Sequence, residues 1–442
     1  MIILISLVVV VFLMVIAASK YKFHPFLLLL IAGIVMGFVG GLSETDIINT
    51  LSNGFGKTLG SIGIIIAFGT IIGAYLEKSG GARSLANWVL KLVGEKRSLL
   101  AMNLTGFVVS IPVYCDSGFI ILSSLINGIS KRAKIPLFVL GVALAAGLYT
   151  THVFVPPTPG PLAATAALDA NLGLVIALGI AIAIPVALSG YFWARYLKRI
   201  TTYTATSKDS NPIEEQPEKL PSASKSFLPI VIPIILIALK SISDYPSHPF
   251  GSGLFSQIIS FIGSPIIALL IGVFLAFPLK PKRAEKEHSH WVVSGLKEAG
   301  IIILITGAGG AFGAILQATG IGAIIGDYFK DFNIGLLLPF LIAAILKTAQ
   351  GSSTVAIITT AAVIAPLLGS LGLDSSLGRA LAVLSVGAGA MTVSHLNDSF
   401  FWVVAQFSEM TTTKALKSQT VATFIQGTTG IVLILIIGWI FL

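Results

Sequence analysis

The sequence predicts an all-α polytopic membrane protein whose two halves repeat each other in opposite orientations. Composition, recurring apolar segments and the positions of polar interruptions support this prediction. Hydrophobic residues make up 55% of the 442 residues, charged residues only 11%, and the mean hydropathy is +0.95. Soluble domains carry roughly 25% charged residues. A chain this apolar is expected to lie in a bilayer, where helices satisfy their own backbone hydrogen bonds.

Apolar segments recur from one end of the chain to the other, and each is predicted to be a helix at membrane depth. The first segment is interpreted as a retained helix rather than a cleaved signal, because Lys20 and Lys22 follow it and no basic residue precedes it. The approximate bounds are 2–18, 25–41, 60–77, 98–113, 117–130, 136–152, 172–197, 227–241, 256–279, 298–316, 334–348, 352–370, 377–393 and 418–442.

Two pairs of segments are too short and too closely joined to cross the membrane separately. The pair at about 98–130 is joined only by Tyr114–Asp116, and the pair at about 334–370 only by Ala349–Gly351. A full span needs about 20 residues. Each pair is therefore predicted to be a re-entrant hairpin whose tip stays within the membrane.

Basic residues sort to one side of the membrane when both hairpins are treated as re-entrant. That side holds most of them, including Lys91, Arg132, Arg199 and Lys282, whereas the other side holds few, such as Lys57. The basic side is the cytoplasm by the positive-inside rule, so both termini are predicted to lie outside. The same sorting explains the formal net charge of +9 without a nucleic-acid partner.

The chain is predicted to divide into residues 1–200 and 227–442, joined by a polar cytoplasmic linker at 201–226. In each half an apolar helix, a hairpin and a helix broken in polar sequence follow in the same order. The broken helices are predicted at about 136–168 and 377–410. The charge distribution places the two hairpins on opposite sides, which makes the repeat inverted. This is the usual construction of secondary transporters, with the site at the repeat interface.

Four polar interruptions are expected to meet at that interface, at 116–118, 150–161, 347–354 and 394–399. The second is rich in proline, which can neither donate a backbone hydrogen bond nor continue a helix. Non-helical backbone at membrane depth is tolerated where protein buries it or water reaches it. Helices that begin after such breaks present unpaired N–H groups, which favour an anion.

Lys347 carries a full charge in the middle of apolar sequence. A lysine at membrane depth needs a carboxylate partner. Two interpretations stay open: the carboxylate belongs to a substrate, or it belongs to Asp116 or Asp398 in an internal salt bridge. Both hold in turn if the substrate displaces the internal partner.

The other candidates are proton carriers and uncharged ligand contacts. Asp116 and Asp398 are carboxylates whose charged form is costly when buried, and His152 and His395 titrate near neutrality. A purely structural role for each histidine stays open. Small and uncharged groups suit ligand hydroxyls or close approach of an anion, although Ser and Thr side chains also bond the backbone. These groups are Ser117, Gly118, Thr158, Gln350, Gly351, Ser352, Ser353, Thr354, Asn397 and Ser399.

No enzyme, cofactor or metal site is predicted. Cys115 is the single cysteine, no Walker-type lysine motif is present, and no nucleophile–base cluster stands out. A channel would need a continuous polar stripe, whereas the polar groups are concentrated at four breaks. Sodium coupling stays open beside proton coupling, because carboxylates, hydroxyls and free carbonyls also hold Na⁺.

Four strings together resemble the gluconate–proton symporter (gluconate permease) family of bacterial permeases, within the ion-transporter superfamily. They are CDSGF at 115–119, VPPTPGP at 155–161, AQGSSTVA at 349–356 and SHLNDS at 394–399. The resemblance covers nearly the whole chain, in order and spacing. Lys347 departs from it where many relatives have Arg, and Phe400 where relatives often have Gly. Lysine binds a carboxylate as a point charge rather than as a fork.

The resemblance implies proton-coupled uptake of a sugar acid such as gluconate, idonate or fructuronate across the bacterial inner membrane. Some relatives carry D-serine instead. It also implies an elevator-type transporter, in which a transport domain with both hairpins moves against a scaffold domain, usually within a homodimer. The transport domain would include about 60–170 and 298–416.

Overall fold

The computed structural model describes residues 2–19, 21, 23–94, 97–201, 220–243, 250–251, 253–280, 288–320, 335–396 and 398–442. Within these ranges the regular elements are all helices. They are α1 (Ile2–Ser19), α2 (Pro25–Val39), α3 (Glu44–Lys78), α4 (Gly81–Val93), α5 (Ser98–Val109), α6 (Cys115–Ala133), α7 (Leu137–Phe154), α8 (Pro159–Ala167), α9 (Leu172–Ile200), α10 (Ala223–Ser243), α11 (Leu254–Ile262), α12 (Pro265–Ala276), α13 (His288–Ala318), α14 (Leu337–Gln350), α15 (Ser353–Ile364), α16 (Ser376–Met391), α17 (Ser399–Phe407), α18 (Thr412–Ala415) and α19 (Val421–Phe441).

The described helices differ widely in length. Five helical stretches are long and apolar enough to cross a membrane, or up to seven if two bent pairs each count as one span. By contrast, α5 has 12 residues and α14 has 14. At 1.5 Å per residue these helices are about 18 and 21 Å long, short of the roughly 30 Å hydrocarbon core.

The segment predicted as one helix at about 256–279 is two helices. α11 and α12 meet at an angle of 65°. Gly263 ends α11, and Pro265 stands at the start of α12. Proline is tolerated in the first turn of a helix but not in its interior, so this predicted apolar segment is bent rather than one straight helix.

The buried centre of the molecule is α7, which packs closely against α5 and α9. At Gly106 and Gly147 a Cβ atom would meet backbone atoms of the facing helix. The amide of Asn103 donates to the carbonyl oxygens of Ala143 and Ala187, each at 3.1 Å. Small residues at helix interfaces and a buried side-chain amide join these three helices, as is common where helices associate in lipid.

The order of elements is the same in both halves. A long helix (α3 or α13), a pair of helices joined by a tight turn (α5–α6 or α14–α15) and a broken helix (α7–α8 or α16–α17) follow one another. Each pair packs against the broken helix of the other half, because α6 contacts α17 and α15 contacts α8. α10 begins at Ala223, inside the stretch predicted as linker, and positions 202–219 and 321–334 lie outside the described residues.

Candidate functional site

The second hairpin turns at Gly351. This residue follows α14 with φ of 85°, a left-handed conformation that glycine adopts without strain. Ser352 then caps the start of α15, where its hydroxyl accepts the N–H of Val355 at 3.3 Å. The side chain of Ser352 is exposed and that of Ser353 is buried. The tip therefore brings the carboxyl end of one helix and the amino end of another to one point.

Lys347 lies in the last turn of α14 and is only 1% exposed. Its Nζ is 2.5 Å from Oδ2 of Asp398 and also donates to the carbonyl oxygen of Gly351. The ring centre of Tyr149 lies 5.8 Å from the same Nζ. Of the two internal partners expected for this lysine, the structure pairs it with Asp398. The cation also neutralises the carbonyl end of its own helix.

Asp398 uses both carboxylate oxygens. It is the N-cap of α17, where Oδ1 accepts the N–H of Phe400 at 3.0 Å. Oδ2 accepts the hydroxyl of Ser394 as well as Lys347. The backbone N–H of Ser394 in turn donates to the hydroxyl of Thr423 at 3.0 Å. The carboxylate thus connects the tip of the second hairpin to the break between α16 and α17. Through Ser394, this buried position is also connected to α19.

Asp116 has a different environment in the first turn of α6. Its Oδ1 is 3.4 Å from the hydroxyl of Ser399, and its Oδ2 is 3.6 Å from Sγ of Cys115. Within the described ranges, no cation lies within ion-pair distance of this carboxylate. Ser399 directly follows Asp398 in the chain. The start of α17 therefore links the tip of the first pair to the ion pair at the tip of the second.

The two histidines of the breaks differ in their contacts. His152 is buried between Tyr114 and Tyr149, with ring centres 6.0 and 6.4 Å away. Its Nδ1 has no hydrogen-bond partner in the part of the chain that is described. His395 is half-buried, and its Nε2 lies 2.9 Å from the carbonyl oxygen of Thr348. His395 therefore connects the break between α16 and α17 to the end of α14, next to the tip of the second hairpin.

The uncharged candidates differ in their burial and in whether they already bond the backbone. Thr158 is buried and donates to the carbonyl oxygen of Val155 at 2.6 Å. Thr354 and Ser117 are half-buried, Gly118 is buried, and Ser399 is exposed. Asn397 and the side chain of Gln350 lie outside the described residues.

Two contributors to the ion pair were missed in the sequence. Tyr149 precedes His152 by three residues, a spacing that places both side chains on one face of α7 and could have indicated it. Its hydroxyl donates to the carbonyl oxygen of Ala390 at 3.2 Å, which holds the ring beside Lys347. Ser394 lies four positions before Asp398. Because residues four apart are neighbours only on a helix, this spacing did not predict the contact in a broken segment.

The apolar, span-length helices and the polar centre that they enclose indicate a multi-pass membrane protein. The family model described as GntP family permease matches residues 1–440. The chain therefore belongs to the GntP permease family. The membership predicted from the four strings is confirmed.

Relatives match over nearly their whole length. The inner membrane permease YgbN of Escherichia coli K12 is 36% identical over 430 residues, which covers 93% of each chain. The gluconate permease of Pseudomonas aeruginosa is 33% identical over 432 residues, with 96% of this chain and 95% of the relative covered. The D-serine transporter DsdX of Escherichia coli O6:H1 is 30% identical over 426 residues, with 95% and 94% covered.

A solved structure shares the fold. It is MtrF of Neisseria gonorrhoeae, described as illuminating a class of antimetabolite efflux pumps. The TM-score is 0.71 and the sequence identity 16%, and 96% of each chain is covered. At this identity the likeness is evidence of the fold alone.

Breaking the buried ion pair is expected to cost far more stability than breaking an exposed one. Asp398→Asn keeps an N-cap side chain but leaves Lys347 buried without its counter-charge, which costs about 3–5 kcal/mol. The control is Asp169→Asn, which removes an ion pair 3.3 Å long to Arg379 whose Asp169 side chain is 94% exposed; this costs about 0–1 kcal/mol. Thermal unfolding of both variants in detergent measures the difference. Equal melting temperatures would show that the Lys347–Asp398 pair contributes no special stability.

Proposed function

We propose that this protein is a secondary active importer that carries a small sugar acid such as gluconate, together with protons, across the bacterial inner membrane. It changes no covalent bond of its substrate and is not an enzyme. The observation that carries the proposal is the buried Lys347, whose partners Gly351 and Asp398 each directly precede an exposed serine, Ser352 and Ser399. Relatives named for gluconate transport support the substrate class.

Within the described contacts, the lysine has one donor left for a substrate. An ammonium group has three N–H donors, and the described contacts use two of them, to Asp398 and to the carbonyl oxygen of Gly351. A substrate carboxylate takes the third donor or displaces Asp398. Because Lys347 is only 1% exposed, the second tip or the start of α17 must move to admit it. Ser399, Ser352 and Thr354 then meet the substrate hydroxyls.

The balance of charge favours cotransport of a proton, with Asp116 as its carrier. Lys347, Asp398 and Asp116 together sum to one negative charge when all are ionised, and a bound carboxylate raises this to two. An excess negative charge at membrane depth is costly. Asp398 already has a cation and two further hydrogen bonds, whereas Asp116 has two long contacts to uncharged groups among the described residues. Protonation of Asp116 therefore offsets the charge that the substrate brings.

The proposal also includes the architecture of the transporter. The pairs α5–α6 and α14–α15 are re-entrant hairpins of two inverted repeats, with about 60–170 and 298–416 in a moving transport domain and the rest in the scaffold. The lengths of α5 and α14 support re-entrance. A homodimer with both termini outside the cytoplasm completes the proposal. Alternatives within the same fold are sodium coupling and a hydroxy acid such as D-serine as substrate.

Replacing the lysine is expected to remove recognition of the carboxylate. In counterflow with reconstituted protein, Lys347→Ala should weaken competition by gluconate roughly 10- to 100-fold, since a hydrogen bond to a charged group contributes about 1.5–3 kcal/mol. Lys347→Arg should keep most of the competition. Gluconamide, which lacks the charge, should compete weakly with the unmodified protein. Lys91→Ala, at an exposed position of α4, is the control. Gluconate competition unchanged in Lys347→Ala would remove this lysine from the site.

Replacing the proposed proton carrier is expected to separate exchange from accumulation. Asp116→Asn mimics the protonated carboxyl, so gluconate counterflow should persist while accumulation driven by a pH gradient in sodium-free buffer is lost. Asp169→Asn, an exposed carboxylate away from the tips, should retain both activities. Undiminished gradient-driven accumulation in Asp116→Asn would place the proton elsewhere. Accumulation that requires sodium and ignores the pH gradient would reject proton coupling itself.

A further inference from the structure

A basic cleft of about 690 Å³ lies where the start of α5 meets the end of α9. Its wall contains the cationic side chains of Arg97, Arg195, Lys198 and Arg199. Tyr191, which also lines it, precedes Arg195 by four residues and Lys198 by seven. These spacings place the three side chains on one face of α9. That face is turned toward the first turn of α5.

A second cleft of about 280 Å³ adjoins the first and shares Ser98, Ile135 and Lys198 with it. It adds Arg132, near the end of α6, to the same region. Basic side chains at the start of α5, near the end of α6 and near the end of α9 therefore line this region. No part of this region belongs to the transport site at Lys347.

The charged side chains described in the lining of the two clefts are all basic. Among the residues that the structure describes, no Asp or Glu lines either cleft, and Arg97, Arg195, Lys198 and Arg199 form no ion pair. Like charges gathered in one cleft repel each other. The first turn of α5 adds to the positive potential, because no side chain caps this helix start. The cleft is therefore suited to an anion.

The remaining wall is apolar, which indicates an amphiphilic anion. Leu99, Leu100 and Ile135 line the cleft. Beside it on α9, Phe192 is 57% and Tyr196 50% exposed. Exposed aromatic residues of a membrane protein face lipid near the headgroup region. Topology alone would place basic residues on this side, but it would not require them to converge around a cavity.

We propose that this cleft binds the phosphate headgroup of an anionic phospholipid, on the side that the basic residues assign to the cytoplasm. Arginine presents donors that match phosphate oxygens in pairs. The acyl chains lie against the apolar wall and the exposed aromatic residues of α9. Basic pockets between membrane helices on the cytoplasmic side are suited to such headgroups. The proposal does not depend on which substrate the protein carries.

The test uses the purified full-length protein in neutral detergent. Native mass spectrometry measures binding of phosphatidylglycerol and phosphatidylcholine to the unmodified protein, to Arg195→Gln/Lys198→Gln and to Lys91→Gln/Lys225→Gln. The second pair removes the same charge from exposed positions outside both clefts. We expect the unmodified protein and the control to prefer phosphatidylglycerol. The cleft variant should bind it roughly 10- to 30-fold more weakly, at about 1 kcal/mol per basic residue.

Equal binding of phosphatidylglycerol by all three proteins would overturn the proposal. The unmodified protein alone gives a second test, because its preference for phosphatidylglycerol over phosphatidylcholine should shrink as salt is raised. An absence of preference refutes the proposal whether or not the variants fold. Thermal stabilisation by inorganic phosphate without a preference for phosphatidylglycerol would identify a soluble anion and overturn the assignment to lipid.

Discussion

The cost of burying the ammonium group of Lys347 constrains the centre of this protein. A lysine that is 1% exposed among apolar helices must be paired and hydrogen-bonded to be stable. The structure meets this requirement with two groups at helix ends: the carbonyl oxygen of Gly351 and the N-cap carboxylate of Asp398. The turn of the second hairpin and the break before α17 are therefore parts of one arrangement. A change at either end leaves a buried charge without its partner.

The same arrangement connects the two halves of the chain. Ser399 follows Asp398 and contacts Asp116 at 3.4 Å. The start of α17 therefore contacts the tip of the first hairpin, while its N-cap residue Asp398 pairs with Lys347 at the tip of the second. α6 packs on α17 and α15 on α8, which gives the halves reciprocal contacts. A substrate that competes for Lys347 would release Asp398 and disturb α17, and with it the surroundings of Asp116. Substrate binding and protonation would be coupled through this one helix start.

Much of this arrangement could be predicted from the sequence, because polar residues and prolines in apolar sequence have few physical explanations. The polar tips, the breaks and a carboxylate partner for Lys347 follow from that logic. The choice of Asp398 over Asp116 does not, since it depends on which helix ends meet in three dimensions. The approach of Tyr149 to Lys347 is likewise a property of packing. The bend at Gly263 and Pro265 was missed because the apolar run continues through it.

The central claim is that Lys347 is shared between Asp398 and the carboxylate of the substrate. The most direct test is a cryo-electron microscopy structure of the protein with gluconate bound. A gluconate carboxylate oxygen is expected about 2.8 Å from Nζ of Lys347, with the third ammonium donor occupied or Asp398 displaced. Gluconate bound elsewhere, with the Lys347–Asp398 pair and its surroundings unchanged, would contradict it.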